Sequence, residues 1–204
     1  MTQASLLSHN IVMSYIIVGL GNPGEEYVKT RHNTGRIMLE ALAKKINADD
    51  FVEKSGIKAL VSKGEVAGKT VTLVEPNNFM NRSGASLTTL VKKPEQVIVI
   101  YDDLDLGLGS VKISFNKSSG GHNGLDSVIK AIKSEAFPRI RIGISPMTPS
   151  GKVKRPLADK RDGHILGEFK KTEMEVLKKV SKKVIEAVEL IVSGQLARAM
   201  SEIK

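Results

Sequence analysis

Short apolar runs recur along the chain and predict a central β-sheet. The run at residues 97–100 is apolar on both faces, which is typical of a central strand covered by helices. The segments 111–115 and 139–144 instead alternate apolar and polar positions, which indicates strands with one polar face. Altogether the pattern predicts strands at residues 15–20, 57–63, 70–74, 97–101, 111–115 and 139–144.

Segments with apolar residues spaced three and four positions apart predict helices between these strands. Leu125, Val128, Ile129 and Ile132 form one such stripe, and a longer stripe runs through 172–193. Helices are predicted at residues 35–46, 84–92, 124–134 and 172–193, with a short helical segment at 196–203. Because strands and helices interleave, we expect an α/β fold with a single compact domain. Its twisted, mixed and mostly parallel β-sheet would carry helices on both faces.

Two segments fall outside this pattern. Residues 1–14 are polar and uneven, and we expect them to form a disordered N-terminal tail that precedes a domain spanning 15–204. Residues 146–163 contain prolines, glycines and five cations without periodicity. Such a long loop inside a compact domain is typical of a lid or a binding loop, so this basic loop is a candidate nucleic-acid contact.

Composition narrows the possible functions. The 204 residues contain no cysteine, which excludes disulfides and thiol catalysis and fits a cytoplasmic protein. Lysine and arginine number 31 against 22 acids, and the net charge of +9 favours a polyanionic partner such as nucleic acid. With five phenylalanines, three tyrosines and no tryptophan, base stacking on aromatic rings is not the expected binding mode. No apolar run is long enough to span a membrane, and no secretory signal is evident.

Polar residues follow four of the predicted strands and suggest one shared cleft. Asn22 and His32 follow the first strand, Asn81 follows the strand at 70–74, Asp102 follows 97–101, and the pair His122 and Asn123 follows 111–115.

These residue types suit hydrolysis of an ester or a similar acyl bond. A histidine could activate water, an aspartate could fix its tautomer, and asparagine amides could stabilise an oxyanion. A serine nucleophile turn is absent, which favours water over a covalent intermediate. The residues alone do not decide whether His32 or His122 is the base.

Two competing interpretations use the same residues. Gly19-x-Gly21-x-x-Gly24 matches a dinucleotide-binding fingerprint, but Pro23 removes a phosphate-binding N–H and the next predicted helix begins about ten residues later. The four histidines are scattered without a metal-binding spacing, and the acids at 102–105 lack the remaining pattern of a calcium loop. We therefore expect neither a cofactor nor a metal ion.

Five motifs, in their order and approximate spacing, resemble those of bacterial peptidyl-tRNA hydrolases. The resemblance extends from about residue 15 to near the C-terminus, and the combination is far more specific than any one motif. The motifs are Gly19-Leu-Gly-Asn22-Pro-Gly with Tyr27 and Arg31-His32-Asn33, Phe79-Met80-Asn81-x-Ser83-Gly84, Asp102-Asp103-Leu104-Asp105, Gly120-Gly121-His122-Asn123-Gly124-Leu125, and Arg139-Ile-Arg141-Ile-Gly143.

The resemblance implies hydrolysis of the ester between a peptide and the terminal ribose of tRNA, which recycles tRNA from abandoned translation. It implies that His32 is the base acting on water and that Asp102 supports it. Asn22, Asn81 and Asn123 would bind the peptidyl and acyl groups or orient water. Tyr27 would lie by the acceptor stem and terminal adenosine of the tRNA. A cytoplasmic, metal-free monomer without an obligate protein partner or membrane contact is expected.

Several alternatives remain open from the sequence. His122 could mainly shape a turn that places Asn123 as the N-cap of the next helix, and Phe79 and Met80 are secondary candidates, Met80 chiefly for packing.

Relatives often have a second cation where Ser114 stands, which puts the phosphate clamp in doubt. Lys112 would contribute to that clamp, and Lys117, with Arg141 nearby, could substitute. A non-catalytic, RNA-binding member of the same family is the alternative function.

Overall fold

The computed structural model describes residues 14–203 of the chain. The tail expected at 1–14 therefore lies outside the described residues, apart from exposed Ser14. Within residues 14–203, no helix is both long enough and apolar enough to cross a membrane.

A seven-stranded mixed sheet forms the centre of the molecule, with strand order β2-β3-β4-β1-β5-β7-β6. The four central strands, β4, β1, β5 and β7, run parallel, whereas β2, β3 and β6 pair antiparallel at the two sides. The fold class predicted from the sequence is thus confirmed. The strands are β1 (Tyr15–Gly19), β2 (Val52–Lys54), β3 (Ala59–Val66), β4 (Lys69–Pro76), β5 (Val97–Gly107), β6 (Val111–Phe115) and β7 (Pro138–Ser145).

Helices cover both faces of the sheet and enclose two apolar cores. One core packs α1 and α4 against the sheet, and the other packs α2 and a 3-10 helix, Met80–Ser86, against the opposite face. The burial follows from the apolar stripes of α2 and α4, which the periodicity predicted. The helices are α1 (Thr34–Lys45), α2 (Asn123–Ile132), α3 (Arg161–Ile165), α4 (Lys171–Val192) and α5 (Leu196–Glu202).

Two glycines let α1 lie directly on the ends of the central strands. A Cβ atom at Gly19 would meet the backbone of Gly35, and one at Gly35 would meet the backbone of Leu20 and Ile100. The α-helix α1 begins only at Thr34, and the 3-10 helix Glu25–Tyr27 that follows Gly24 is a three-residue turn led by two acids, Glu25 and Glu26. The turn therefore serves close helix packing rather than a pyrophosphate site.

The α-helix predicted at 84–92 is wrong. This segment begins with the 3-10 helix Met80–Ser86 and continues in turns. Gly84 lies against the backbone of Ser127 in α2, and the Ser83 hydroxyl donates to the Met80 carbonyl at 2.8 Å. Serine and glycine favour such local bonding and tight approach over a regular helix.

The loop predicted at 146–163 is only partly irregular. An isolated bridge joins Met147 to Val153, a 3-10 helix spans Ala158–Lys160, and α3 begins at Arg161. The sequence pattern missed β2, whose three exposed residues carry no alternation. It also ended β5 six residues too early, because the acids at 102, 103 and 105 end the apolar run, while the strand continues past a bulge after Asp103 to Gly107.

Candidate active site

Asp102 lies at the centre of the site and contacts two histidines. It belongs to β5, where it pairs with Ile142 of β7, and only 2% of its surface is exposed. Both of its carboxylate oxygens are 3.0 Å from His32 Nδ1, and Oδ1 is also 3.0 Å from His122 Nε2. Burial raises the pKa of Asp102, but the two histidines lower it by more, so the net change is well below the usual range. Asp102 is therefore an anion that orients both rings.

His122 has both ring nitrogens engaged. Its Nδ1 accepts a hydrogen bond from the Leu125 N–H at 3.1 Å and so caps the N-terminus of α2. The proton must then reside on Nε2, which donates it to Asp102. The alternative in which Asn123 is the N-cap is therefore wrong, since Asn123 is the first residue of α2. The histidine ring supplies the acceptor that a short polar side chain usually provides.

His32 has one nitrogen free. A short 3-10 helix, Arg31–Asn33, runs directly into α1 and holds His32 in the buried turn before that helix. Its Nδ1–H donates to Asp102, and no residue in the described part of the chain hydrogen-bonds its Nε2. Burial lowers the pKa of His32, but the charge and hydrogen bond of Asp102, with a smaller contribution from Asp162, raise it above its ordinary value. His32 Nε2 is thus an available, strengthened base.

Asn22 is fastened by hydrogen bonds to Asn33, the residue after His32, and to Met80, although it does not line the cavity described below. Its N–H donates to Asn33 Oδ1 at 2.8 Å, and Asn33 Nδ2 donates to the Asn22 carbonyl at 2.9 Å. The Asn22 Oδ1 accepts from the Met80 N–H at 2.8 Å. This leaves the Asn22 amide Nδ2 without a partner among residues 14–203. Such a preorganised donor suits a developing oxyanion.

A cavity of about 480 Å³ adjoins this centre, and its lining is basic on balance, with six cations against four aspartates. His32, Asp102, His122 and exposed Asn123 line one part of it. Its remaining lining includes the cations Lys112, Lys117, Arg139, Arg141, Arg155 and Arg161.

Ion pairs distinguish the cations of this cavity. Arg141 Nε lies 2.6 Å from Asp103, and Arg155 lies 2.8 Å from Asp105. Exposed Lys112 and Lys117 form no ion pair with any described residue. These two lysines are therefore the cations most available to an anionic ligand.

Other predicted site residues lie away from this cavity. Asn81 is exposed and lines a second depression with Asn78 and Arg82. Phe79 is 61% exposed, whereas Met80 is buried. Tyr27 is half-buried in a separate 3-10 helix, Glu25–Tyr27. The structure thus brings His32, Asp102, His122 and Asn123 together, with Asn22 fastened to Asn33, and places Asn81 and Tyr27 outside the basic cavity.

Two cavity residues were missed by the sequence interpretation. Arg139 is fully buried, and its guanidinium donates to the carbonyls of Ser118 at 2.8 Å and Glu135 at 3.2 Å. It faces Ser114 in the register of β6 and β7. The sequence signal that could have identified Arg139 is an arginine at a polar position of a strand that alternates apolar and polar residues. Asp162, which acts on the pKa of His32, lies in the basic segment 146–163, which the sequence interpretation treated only as a source of cations.

His32, Asp102 and His122 are also the one group in residues 14–203 that could supply a metal with three ligands, all within 4.8 Å of one another. The atoms that would bind an ion are, however, those joined by direct hydrogen bonds. A metal ion would have to displace the two bridging protons and release His32 from its orientation. The donor set therefore fits a hydrogen-bonded relay better than a metal centre.

Comparisons with known proteins agree on one family. A family model described as peptidyl-tRNA hydrolase matches residues 16–204. The peptidyl-tRNA hydrolase of Thermoanaerobacter sp. (strain X514) is 43% identical over 192 residues, which cover 92% of this chain and 98% of that protein. The protein of the same name from Aquifex aeolicus (strain VF5) is 41% identical over 175 residues, or 83% and 85% of the two chains. A crystal structure of peptidyl-tRNA hydrolase from Acinetobacter baumannii superposes with a TM-score of 0.82 at 32% identity, covering 93% of each chain.

Proposed function

The chain belongs to the peptidyl-tRNA hydrolase family and is a hydrolase of peptidyl-tRNA, and we propose that His32 activates water to cleave the ester between peptide and terminal ribose. The observation that carries this assignment is the free Nε2 of His32. The other imidazole beside Asp102 has both of its nitrogens occupied, so His32 is the base that can still accept a proton.

The reaction proceeds by attack of water on the ester carbonyl carbon. His32 Nε2 takes a proton from the water as its oxygen bonds to that carbon, and the carbonyl oxygen becomes an oxyanion. Asp102 stabilises the imidazolium that forms at His32. The bond between carbon and ribose oxygen then breaks, and the imidazolium returns its proton to the departing ribose oxygen. Peptide acid and tRNA are the products, and no step needs a metal ion.

Amide groups would bind the reacting and neighbouring parts of the substrate. The free Nδ2 of Asn22 donates to the oxyanion, since its Oδ1 is held by Met80 and cannot rotate away. Asn123 contacts the acyl group or orients water from its position in the cavity wall. Asn81, exposed Phe79 and Tyr27 would contact more distant parts of the peptidyl-tRNA, including the terminal adenosine.

The basic cavity would hold the phosphates of the acceptor stem. Lys112 and Lys117 are exposed on it, and Arg141 joins them while paired with Asp103. Ser114, where relatives often have a cation, is buried and pairs with Arg139 in the register of β6 and β7. Lys112, Lys117 and Arg141 would supply the positive charge instead. We further propose that the enzyme acts as a cytoplasmic monomer and needs no protein partner.

The test is hydrolysis of N-blocked peptidyl-tRNA by the wild type and by His32→Ala. Loss of a general base costs roughly 10²–10⁴ in rate, whereas tRNA binding should persist because the cavity cations are untouched. Free aminoacyl-tRNA serves as the substrate control, and EDTA should have no effect.

Near-wild-type turnover by His32→Ala, or a rate that depends on added metal, would reject this mechanism. A wild-type protein that binds tRNA without hydrolysing the ester would instead support the RNA-binding alternative, which no comparison favours.

A further inference from the structure

A buried ion pair, Arg36 and Glu75, lies outside the groups to which the proposed reaction assigns a role. Arg36 is in the first turn of α1, four residues after His32, and Glu75 is the penultimate residue of β4. They are only 9% and 3% exposed, and Arg36 Nη1 is 3.9 Å from Glu75 Oε2. Arg36 Nε and Glu75 Oε1 have no hydrogen-bond partner within the described chain. A buried pair with incomplete hydrogen bonding is weak evidence for a role in stability.

Arg36 connects three segments around the site. Its Nη2 donates a hydrogen bond to the carbonyl of Pro76, at the start of the loop that leads to Met80. Its aliphatic carbons lie where a Cβ atom at Gly21 would be, directly beside the backbone that carries Asn22. One side chain therefore links the helix after His32, the Asn22 turn and the segment before Met80.

The position of Asn22 depends on two of these segments. Its side-chain oxygen is held by the Met80 N–H, and its backbone is held by Asn33. A shift of the Pro76–Met80 segment relative to the Asn22 turn would move the Met80 N–H and rotate the Asn22 amide. Misplacement by about 1 Å can cost about 10²-fold in rate even when it begins away from the reacting atoms.

We propose that Arg36, with Glu75 as its counter-ion, is a positioning residue that fixes the distance between the Asn22 turn and the Pro76–Met80 segment and thereby aims the Asn22 amide. This inference rests on the proposed function, since it assigns Arg36 an effect only through Asn22.

The environment of Glu75 agrees with a pair built for geometry rather than for stability. Burial raises its pKa to about 7, because the attraction of Arg36 does not offset desolvation and Glu40 adds like charge. Arg36 and Glu40 of α1 are the charged groups of the described chain that act on it. The hydrogen bond from Arg36 to the Pro76 carbonyl does not depend on the charge of Glu75.

The experiment is a double-mutant cycle on the full-length enzyme. Arg36→Met combined with Glu75→Leu removes the pair without leaving a buried charge, and Asn22→Ala removes the group on which the pair is proposed to act. Turnover of N-blocked peptidyl-tRNA, its KM and the thermal midpoint are measured for each variant. Lys178→Met combined with Glu175→Leu, which removes an exposed pair on α4, is the matched control.

We expect the Arg36/Glu75 variant to lose about 10- to 100-fold in kcat, with little change in KM or thermal midpoint. In the Asn22→Ala background the same change should cost little more, whereas a purely structural role would lower kcat equally in both backgrounds. Should the double variant fail to fold, Arg36→Lys provides the same cycle, because it retains the charge but not the guanidinium geometry.

Undiminished kcat in the Arg36/Glu75 variant, or equal losses with and without Asn22, overturns the inference. These outcomes are distinct from failure of the proposed function, which would show as full activity in His32→Ala. If His32→Ala is inactive while the Arg36/Glu75 variant matches wild type, only the positioning role is rejected.

Discussion

His32 and His122 lie against the same carboxylate, and one nitrogen of each ring is 3.0 Å from Asp102. Their second nitrogens differ. That of His122 accepts the N–H of Leu125 and caps α2, whereas that of His32 has no partner in residues 14–203. Equal proximity to an acid therefore does not give equal chemistry. A backbone N–H that bonds to the second ring nitrogen of His122, and that no described residue supplies at His32, decides which histidine remains available as a base.

The variant with the largest expected effect on this difference removes the charge of Asp102, which both histidines contact. Asp102→Asn retains the shape of the side chain but presents an amide that can donate to His32 Nδ1. Donation would place the ring proton on Nε2, so the base would be in the wrong tautomer. We expect kcat to fall about 10²- to 10⁴-fold, measured as hydrolysis of N-blocked peptidyl-tRNA.

A matched control for this variant is Asp103→Asn, on the next residue of β5. It releases Arg141 from its 2.6 Å ion pair but leaves both histidine contacts intact. We expect this control to alter tRNA affinity more than kcat. If Asp102→Asn retained the wild-type kcat, neither tautomer control nor charge stabilisation by Asp102 could be part of the mechanism.

The pH dependence of the rate should report His32. Burial lowers the pKa of His32, but Asp102 and, to a smaller extent, Asp162 together raise it by more, so the imidazole becomes protonated already above its ordinary value of about 6.5. A protonated ring cannot accept the proton of water. We therefore expect kcat/KM to be maximal in mild alkali and to fall tenfold per pH unit below that raised pKa.

The variant Asp162→Asn sharpens this test, since Asp162 also raises the pKa of His32 without a hydrogen bond to it. Its acid limb should move slightly to lower pH, and its plateau rate should stay near that of wild type. An acid limb below pH 6 in the wild-type enzyme would show that burial dominates and that Asp102 does not act on His32 as proposed.

The contrast between the two histidines also marks what the sequence could predict. Apolar periodicity was sufficient for six of the seven strands, for α1, α2 and α4, and for placing polar residues at strand ends. It could not assign the base, because both histidines precede helices and the distinction lies in one ring nitrogen bonded to the Leu125 N–H. Resemblance to the family favoured His32, and the hydrogen bonds supply a physical reason for that choice.

The predicted helix at 84–92 and the unnoticed Arg36–Glu75 pair show where local patterns fail. Gly84 is placed by contact with Ser127, more than 40 positions later, so tertiary packing overrides the periodicity of its own segment. In the sequence pattern, Arg36 is a polar residue in a predicted helix, and Glu75 is a polar residue directly after a predicted strand. Only the long-range packing of α1 on β4 shows that both are buried.

The variants with the smallest expected effect separate the two roles of His122, which are to cap α2 and to donate a hydrogen bond to Asp102. Asparagine is a good N-cap, so His122→Asn should preserve the cap of α2 while removing the hydrogen bond to Asp102, whereas His122→Ala removes both. Asp102 remains bonded to His32 in either variant, so we expect a similar, modest loss in kcat for both, about 10-fold or less from one hydrogen bond. Their stabilities should differ, with the alanine variant about 0.5–2 kcal/mol less stable in urea unfolding. A rate loss for His122→Asn as large as that for His32→Ala would mean that His122 takes part in proton transfer, and the functional contrast between the two histidines would then have to be abandoned.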